Sequence, residues 1–219
     1  MKLQHPIHAV IFDMDGLLID TEKHLVRYWC QAAQEMGFPM ERRHALFIRS
    51  LTGKFAAPYL QGELGPDFDY QKVRARRKEL VAEALEREGI ERKKGALELL
   101  TWLKENGYRT AVATATDEER AEQYLNQIGI RHLLDKVICA TMVENGKPMP
   151  DVYLYACEQL GEKPENCIAL EDSPNGVLSA YRAGCKVIMV PDLTQPEEEL
   201  MPMLSGQAES LLDVIEMLK

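Results

Sequence analysis

Apolar positions along the chain fall into two rhythms, and the change between them divides it. Residues 7–12, Ile-His-Ala-Val-Ile-Phe, form a short β-branched run of the kind a buried strand shows. From residue 22 the spacing becomes three and four. Leu25, Val26, Trp29, Cys30, Ala33 and Met36 then share one helical stripe over residues 22–36, which Gly37-Phe38-Pro39 stops. Residues 41–88 stay helical, with breaks expected at Gly53, at Gly62 and at Gly65-Pro66-Asp67. Val73, Leu80, Val81, Ala84 and Leu85 form the core face of the last helix there. Arg74, Arg76, Arg77 and Lys78 read as its solvated basic face, able to steer an anion.

From about residue 95 helices and short apolar runs alternate. Helices are predicted over 96–105, 117–128, 151–160 and 175–183, and strands over 108–114, 137–140, 168–170 and 186–190. Two helices, 197–204 and 211–218, are expected to close the chain. Repeated βα units with short apolar strands imply a parallel sheet covered on both faces. The expected fold is α/β, a Rossmann-like parallel sheet flanked by helices. Its core spans residues 1–20 and 92–219, with an α-helical cap domain inserted over 21–91. Ligands of such sheets bind at the carboxyl ends of the strands, so the residues just after each apolar run matter most.

Composition narrows the function classes. With 219 residues, 46% hydrophobic and 28% charged, the chain suits one domain with a good core and a modest second module. A formal charge of −9 argues against general affinity for nucleic acid or an anionic membrane. A phosphorylated substrate would then depend on local positive charge or on a metal. The five cysteines, Cys30, Cys139, Cys157, Cys167 and Cys185, show neither a CxxC nor a disulfide framework, which predicts reduced thiols and a cytoplasmic location. The start, Met1-Lys2-Leu3-Gln4-His5-Pro6, lacks a signal-peptide plan, and no apolar segment is long enough to span a bilayer.

The polar groups at the strand ends carry the chemistry. The first strand ends in Asp13-Met14-Asp15-Gly16, and continued extension would put Asp13 and Asp15 on the same side. Two converging carboxylates repel and lose hydration unless a cation joins them or one holds a proton. A calcium loop is excluded, because Leu17 occupies the next ligand position and a strand precedes it. The next strand ends in Thr114-Ala115-Thr116-Asp117, where the Thr114 hydroxyl and the amides of a helix start would suit a phosphate oxygen. Thr116 with Glu119 also fits a capping box, which a helix start alone explains. Lys147 lies in Gly146-Lys147-Pro148-Met149-Pro150-Asp151; alone it reads as a surface lysine, although the prolines stiffen its backbone. Glu171-Asp172-Ser173 follows another strand, with Ser173-Pro174 a good cap and first-turn pair. Each has a structural explanation by itself, but four ordinary helix starts have no reason to supply this complementary set.

Asp13-Met14-Asp15-Gly16-Leu17-Leu18-Ile19-Asp20-Thr21 resembles the first signature of the haloacid-dehalogenase-like superfamily. Thr114 matches the second, Lys147 the third and Glu171-Asp172-Ser173 the fourth, and the insert resembles the subgroup with a small helical cap. Met149 is a mild departure, where relatives commonly have a smaller residue. The resemblance implies a phosphatase acting on a small phosphorylated metabolite, a sugar phosphate among the candidates, through an aspartyl-phosphate. Asp13 would be the nucleophile and Asp15 the acid–base. Magnesium would be held by Asp13, the Asp15 carbonyl and Asp172, with Glu171 either a further ligand or a partner behind them. Gly16, Thr114, Ala115, Thr116 and Lys147 would bind the substrate phosphate. Haloacid dehalogenases lack the second aspartate and phosphonatases carry alanine there, so Asp15 disfavours both.

A sugar phosphomutase of the β-phosphoglucomutase type is the competing expectation. Those enzymes carry a histidine after the first motif; here Leu25 falls on that position and His24 lies one residue away, a rotation of about 100° on a helix. They also place a cap arginine after a glycine, where Gly53-Lys54 offers a lysine. A non-catalytic phosphate-binding module is disfavoured, because all four motifs keep their functional groups. Arg49, Lys54 and residues 22–24 are candidates near the mouth, residues 16–21 and 90–95 are candidate hinges, and a monomer or small homo-oligomer is expected.

Overall fold

The computed structural model describes residues 6–219, so the expectation drawn from Met1–His5, that no signal peptide begins there, lies outside the described residues. The α/β plan is borne out. Strand β1 (Ala9–Phe12) is wholly buried, because all four residues are apolar and both faces are covered. Val10 and Phe12 join the core on one side of the sheet, Ala9 and Ile11 the core on the other. Four helices follow: α1 (Glu22–Glu35), α2 (Arg42–Phe47), α3 (Gly53–Leu64) and α4 (Tyr70–Glu88). Then come α5 (Ala96–Glu105), β2 (Arg109–Thr114), α6 (Glu118–Gln127), β3 (Lys136–Cys139), α7 (Asp151–Leu160), β4 (Cys167–Glu171), α8 (Pro174–Ala183) and β5 (Lys186–Met189). The chain closes with β6 (Leu204–Gln207) and α9 (Leu211–Leu218).

The six strands run parallel in the order β3-β2-β1-β4-β5-β6. Connections from β1 step outward to β2 and β3, then return across β1 to β4. The crevice where the direction reverses, beside β1 and β4, is where sheets of this order bind ligands. Phe12 lies opposite both Val112 and Leu170, so the segments after β1, β2 and β4 emerge together.

Two expectations need correction. The helix expected over 197–204 does not form: Met201–Met203 makes one 3₁₀ turn, and Leu204 starts β6. Pro202 cannot donate a helical hydrogen bond, and its ring clashes with the preceding turn. Gly62 does not break the helical region either; α3 runs through it, and through Pro58, to Gly65 at φ 107°. A helical glycine costs only about 1 kcal/mol, which the buried Ala56 and Leu60 on the same helix offset.

The cap helices are held by their own apolar faces, with Val73, Leu80, Val81, Ala84 and Leu85 of α4 all buried. Both segments joining cap to core pair with each other: Asp20 N donates to Glu91 O (2.9 Å) and Lys93 N to Leu18 O (3.0 Å). Among the described residues no helix is long and apolar enough to cross a membrane, and the five cysteines are free.

Candidate active site

The carboxyl ends of β1 and β2 open on a cavity between the cap and the sheet, with the end of β4 beside them. Asp13 directly follows β1, its amide still bonded to Leu170 O (2.9 Å), so it is fixed by the ladder. Asp13 is 3% exposed. Lys147, 1% exposed, reaches Asp13 Oδ1 (2.5 Å) and Glu171 Oε1 (2.6 Å). The surface explanation of this lysine therefore fails; a buried ammonium needs these partners. Tyr153 of α7 also donates to Glu171 Oε1 (2.5 Å). In the sequence Tyr153 is indistinguishable from a core residue of an amphipathic helix.

Asp15 lies in a turn held by Gly16 N to Ile19 O (2.9 Å). Thr21 donates to its Oδ1 (2.5 Å) and Thr116 to its Oδ2 (2.8 Å). The capping box expected for Thr116 and Glu119 is absent: Asp117 caps α6, accepting from the Arg120 amide. Thr116 serves Asp15 instead, and its own amide donates to Thr114 Oγ1 (3.0 Å). Ser173 caps α8 as expected. Asp13, Asp15, Thr114, Ala115 and Thr116 thus share one cavity, with Lys147 behind Asp13. Gly16 sits apart, against Asp172: at φ 89°, a Cβ there would lie 2.5 Å from Asp172 Oδ2. Only glycine permits both that backbone angle and that approach.

Asp13, Glu171 and Asp172 each offer a carboxylate oxygen within 4.8 Å of the others, whereas the Asp15 carboxylate is outside this cluster. Arg49, in the loop after α2, donates to Asp172 Oδ2 (3.1 Å) and to Thr194 Oγ1. Three buried carboxylates thus face two cations, Lys147 and Arg49. Asp172 Oδ1 is buried and has no hydrogen-bond partner among the described residues. An all-oxygen donor set with surplus negative charge and an orphaned oxygen fits a hard divalent cation. The same surplus sets the protonation behaviour. Burial pushes the Asp13 carboxyl up to about 7 against the pull of Lys147, while burial and neighbouring Asp13 hold Asp172 well above the carboxylate range.

Glu22, at the start of α1 and 6% exposed, lines the same cavity. Burial and the nearby Asp15 push its carboxyl up to about 8. A stability effect with a definite sign follows. Between about pH 4 and about pH 7 the unfolded chain has ionised these groups while the folded one still holds their protons. Stability therefore falls as pH rises, by on the order of 1.4 kcal/mol per pH unit for each such group. In a metal-chelating buffer the urea midpoint is expected to drop from pH 5.5 to pH 8, and excess magnesium to flatten the slope. A chelated protein equally stable at both pH values would refute this.

The cap closes on the site through residues 47–54. Ser50 Oγ accepts from Ser173 Oγ (2.9 Å), and Asn175 Nδ2 donates to Phe47 O (2.7 Å) and Arg49 O (2.9 Å). Lys54 reaches Asn145 Oδ1 (2.6 Å). Leu25 lines the cavity, whereas His24 is buried with its Nε2 3.8 Å from Glu88 and its ring stacked with Tyr28.

A carboxylate locked to a lysine, a second acid beside it and a cation-ready cluster beneath a cap suit displacement at phosphorus, the work of capped α/β phosphoryl-transfer enzymes. The chain belongs to the haloacid dehalogenase-like hydrolases, whose family profile matches residues 10–190. It is 32% identical to hexitol phosphatase A of Escherichia coli (strain K12) over 180 residues, covering 82% of this chain and 81% of that one. It is 30% identical to the phosphorylated carbohydrates phosphatase of Thermotoga maritima over 186 residues, covering 83% and 84%. Among solved structures, CbbY from Rhodobacter sphaeroides in complex with phosphate superposes with a TM-score of 0.78 at 26% identity, covering 95% of this chain and 96% of that one.

Proposed function

We propose that the chain is a magnesium-dependent phosphatase that hydrolyses a small phosphorylated metabolite, a sugar phosphate in the first instance, through an aspartyl-phosphate on Asp13. The observation that carries this reading is the pair Asp13 and Asp15 facing one cavity with different partners: Asp13 takes the buried ammonium of Lys147, Asp15 two hydroxyls. A carboxylate needs no deprotonation to attack at neutral pH, provided nearby cations keep it ionised. Asp13 forms the new O–P bond as the bond to the leaving alkoxide breaks, and Asp15 delivers the proton that alkoxide needs. Asp15 then takes a proton from water, whose oxygen attacks phosphorus and frees Asp13 with inorganic phosphate. Thr114, Thr116 and Lys147 orient the phosphoryl oxygens and spread their charge.

Asp13, Glu171, Asp172 and the Asp15 carbonyl would hold the magnesium, with Gly16 leaving room for Asp172. When bound, the ion neutralises phosphate charge against an anionic nucleophile. Residues 21–91 act as a cap that moves on the paired segments 16–21 and 90–95, admitting substrate and excluding water. Five free thiols suit a reducing cytoplasm.

A mutase reading is disfavoured because the position those enzymes give to histidine is the apolar Leu25, which lines the cavity, while His24 turns to Glu88 and Tyr28. Phosphate release from a panel of phosphorylated metabolites is expected with magnesium, to fall at least ~100-fold in EDTA, and to return when magnesium is restored. Conversion of β-glucose 1-phosphate to glucose 6-phosphate with little phosphate released would overturn the phosphatase reading.

A further inference from the structure

Four arginines line the cavity: Arg49, Arg74, Arg77 and Arg120. Two already have partners, since Arg49 donates to Asp172 (3.1 Å) and Arg120 chelates Asp117 Oδ2 (3.0 and 2.7 Å). Neighbouring Arg76 and Lys78 are also paired, with Glu35 and Glu79 and with Asp117. Arg74 and Arg77 form no ion pair among the described residues.

Arg77 is the more informative of the two. It sits on the core stripe of α4, four residues after Val73 and four before Val81, and turns inward with them. Its guanidinium lies over the Trp29 ring (4.7 Å to the centroid), and that ring packs against Tyr70 (5.4 Å). Its Nε is buried and has no hydrogen-bond partner among the described residues. The aromatic face fixes the guanidinium plane and supplies some attraction, but it leaves the donors unused. Burial pulls the group down only to about 10, so it remains cationic at neutral pH.

No acid of the cavity forms an ion pair with Arg74 or Arg77 among the described residues, although Glu22 lies near enough to Arg77 to feel its charge. Asp13 belongs to Lys147, Asp15 to Thr21 and Thr116, and Glu22, the third acid lining it, forms no ion pair among the described residues. Arg77 is only part-buried as a residue, but a guanidinium whose Nε is buried without a partner gains from a ligand that completes it.

We infer that Arg77 and Arg74 form a second anion site in the cap, and that the substrate carries a phosphate or carboxylate at the end remote from the transferred phosphate. This rests on the phosphatase reading and narrows it, because the phosphate to be transferred belongs at the core strand ends while α4 belongs to the cap. A planar guanidinium suits the paired oxygens of either anion.

Two matched pairs of probes separate the possibilities: fructose 1-phosphate with fructose 1,6-bisphosphate, and glucose 6-phosphate with 6-phosphogluconate. Each is measured for kcat/KM of phosphate release and, by calorimetric titration into Asp13→Asn protein with magnesium, for affinity without turnover. In at least one pair the doubly anionic member is expected to bind at least tenfold more tightly and to turn over with correspondingly higher kcat/KM. Preference in the first pair identifies a phosphate, in the second a carboxylate. Arg77→Met in either background is expected to shrink the ratio to within twofold, and Arg77→Lys to restore part of it. Equal affinity within both pairs, or a preference that survives Arg77→Met, overturns the inference. A retained binding preference with no phosphate released from any probe by the wild-type protein would instead overturn the phosphatase reading and leave the anion site standing.

Discussion

Asp13→Asn is expected to lower kcat for phosphate release by about 10³-fold or more, the scale on which removal of a covalent nucleophile acts. The amide is nearly isosteric, so binding geometry survives while the attacking oxygen loses its charge. The loss should come without loss of stability. Asp13 is one of three clustered carboxylates that share two cations, and its own carboxyl is pushed up to about 7 by burial. Removing that charge relieves repulsion around Asp172 and Glu171. In chelating buffer at pH 8 the variant should unfold at a urea concentration equal to or higher than the parent's. An active Asp13→Asn enzyme would sink the mechanism. An inactive but strongly destabilised one would mean that Asp13 chiefly holds the structure together.

Lys147→Met should damage both activity and fold. Lys147 is fully buried between Asp13 and Glu171, at 2.5 and 2.6 Å. Breaking a buried ion pair by removing one partner costs about 3–5 kcal/mol, because the other charge stays behind without compensation. Here two carboxylates would be left facing each other. Lys147 is the main group opposing the upward push on Asp13, so in the variant the Asp13 carboxyl should climb further. Its proton is then retained to higher pH in the folded state, and stability falls more steeply above neutrality than in the parent. Urea unfolding at pH 5.5 and pH 8 should therefore show a larger deficit at pH 8. The same lysine contacts the nucleophile, so kcat/KM is expected to drop by about 10²- to 10³-fold. A variant as stable as the parent at pH 8 would contradict the burial argument.

Much of the architecture was legible because apolar runs and helical stripes carry it directly. β1, β2 and β4 are short, mostly apolar stretches that end in or run straight into polar residues, and a parallel sheet puts those ends on one edge. The failures lie where local pattern underdetermines structure. In residues 197–204, acids followed by Leu200, Met201, Met203 and Leu204 imitate a helix start. Pro202 withdraws a helical donor without the buried helix face that carries α3 through Pro58, and Leu204–Gln207 instead reaches the edge of β5 through a register shift. Thr116 and Asp117 compete one residue apart for the same cap. Asp117 takes it, and Thr116 turns to a carboxylate from 101 residues earlier. Tyr153 and Thr21 gave no local sign of their polar partners. Arg77 did give one: it occupies the same helical face as Val73 and Val81, which a solvated arginine would avoid.

The chain of residues alone determined which chemical groups are present and which strand end delivers each: two acids after β1, hydroxyls after β2, a lysine before α7 and two acids after β4. These follow from covalent order and from the periods of strand and helix. Tertiary structure alone decided who faces whom. It placed Lys147 between Asp13 and Glu171, handed Asp15 to two threonines, brought Arg49 from the cap to Asp172, and turned Arg77 from a surface charge into a buried donor without a partner. The reason is that pairing of polar groups is settled by desolvation, which depends on what surrounds each group after packing and is invisible in a local window.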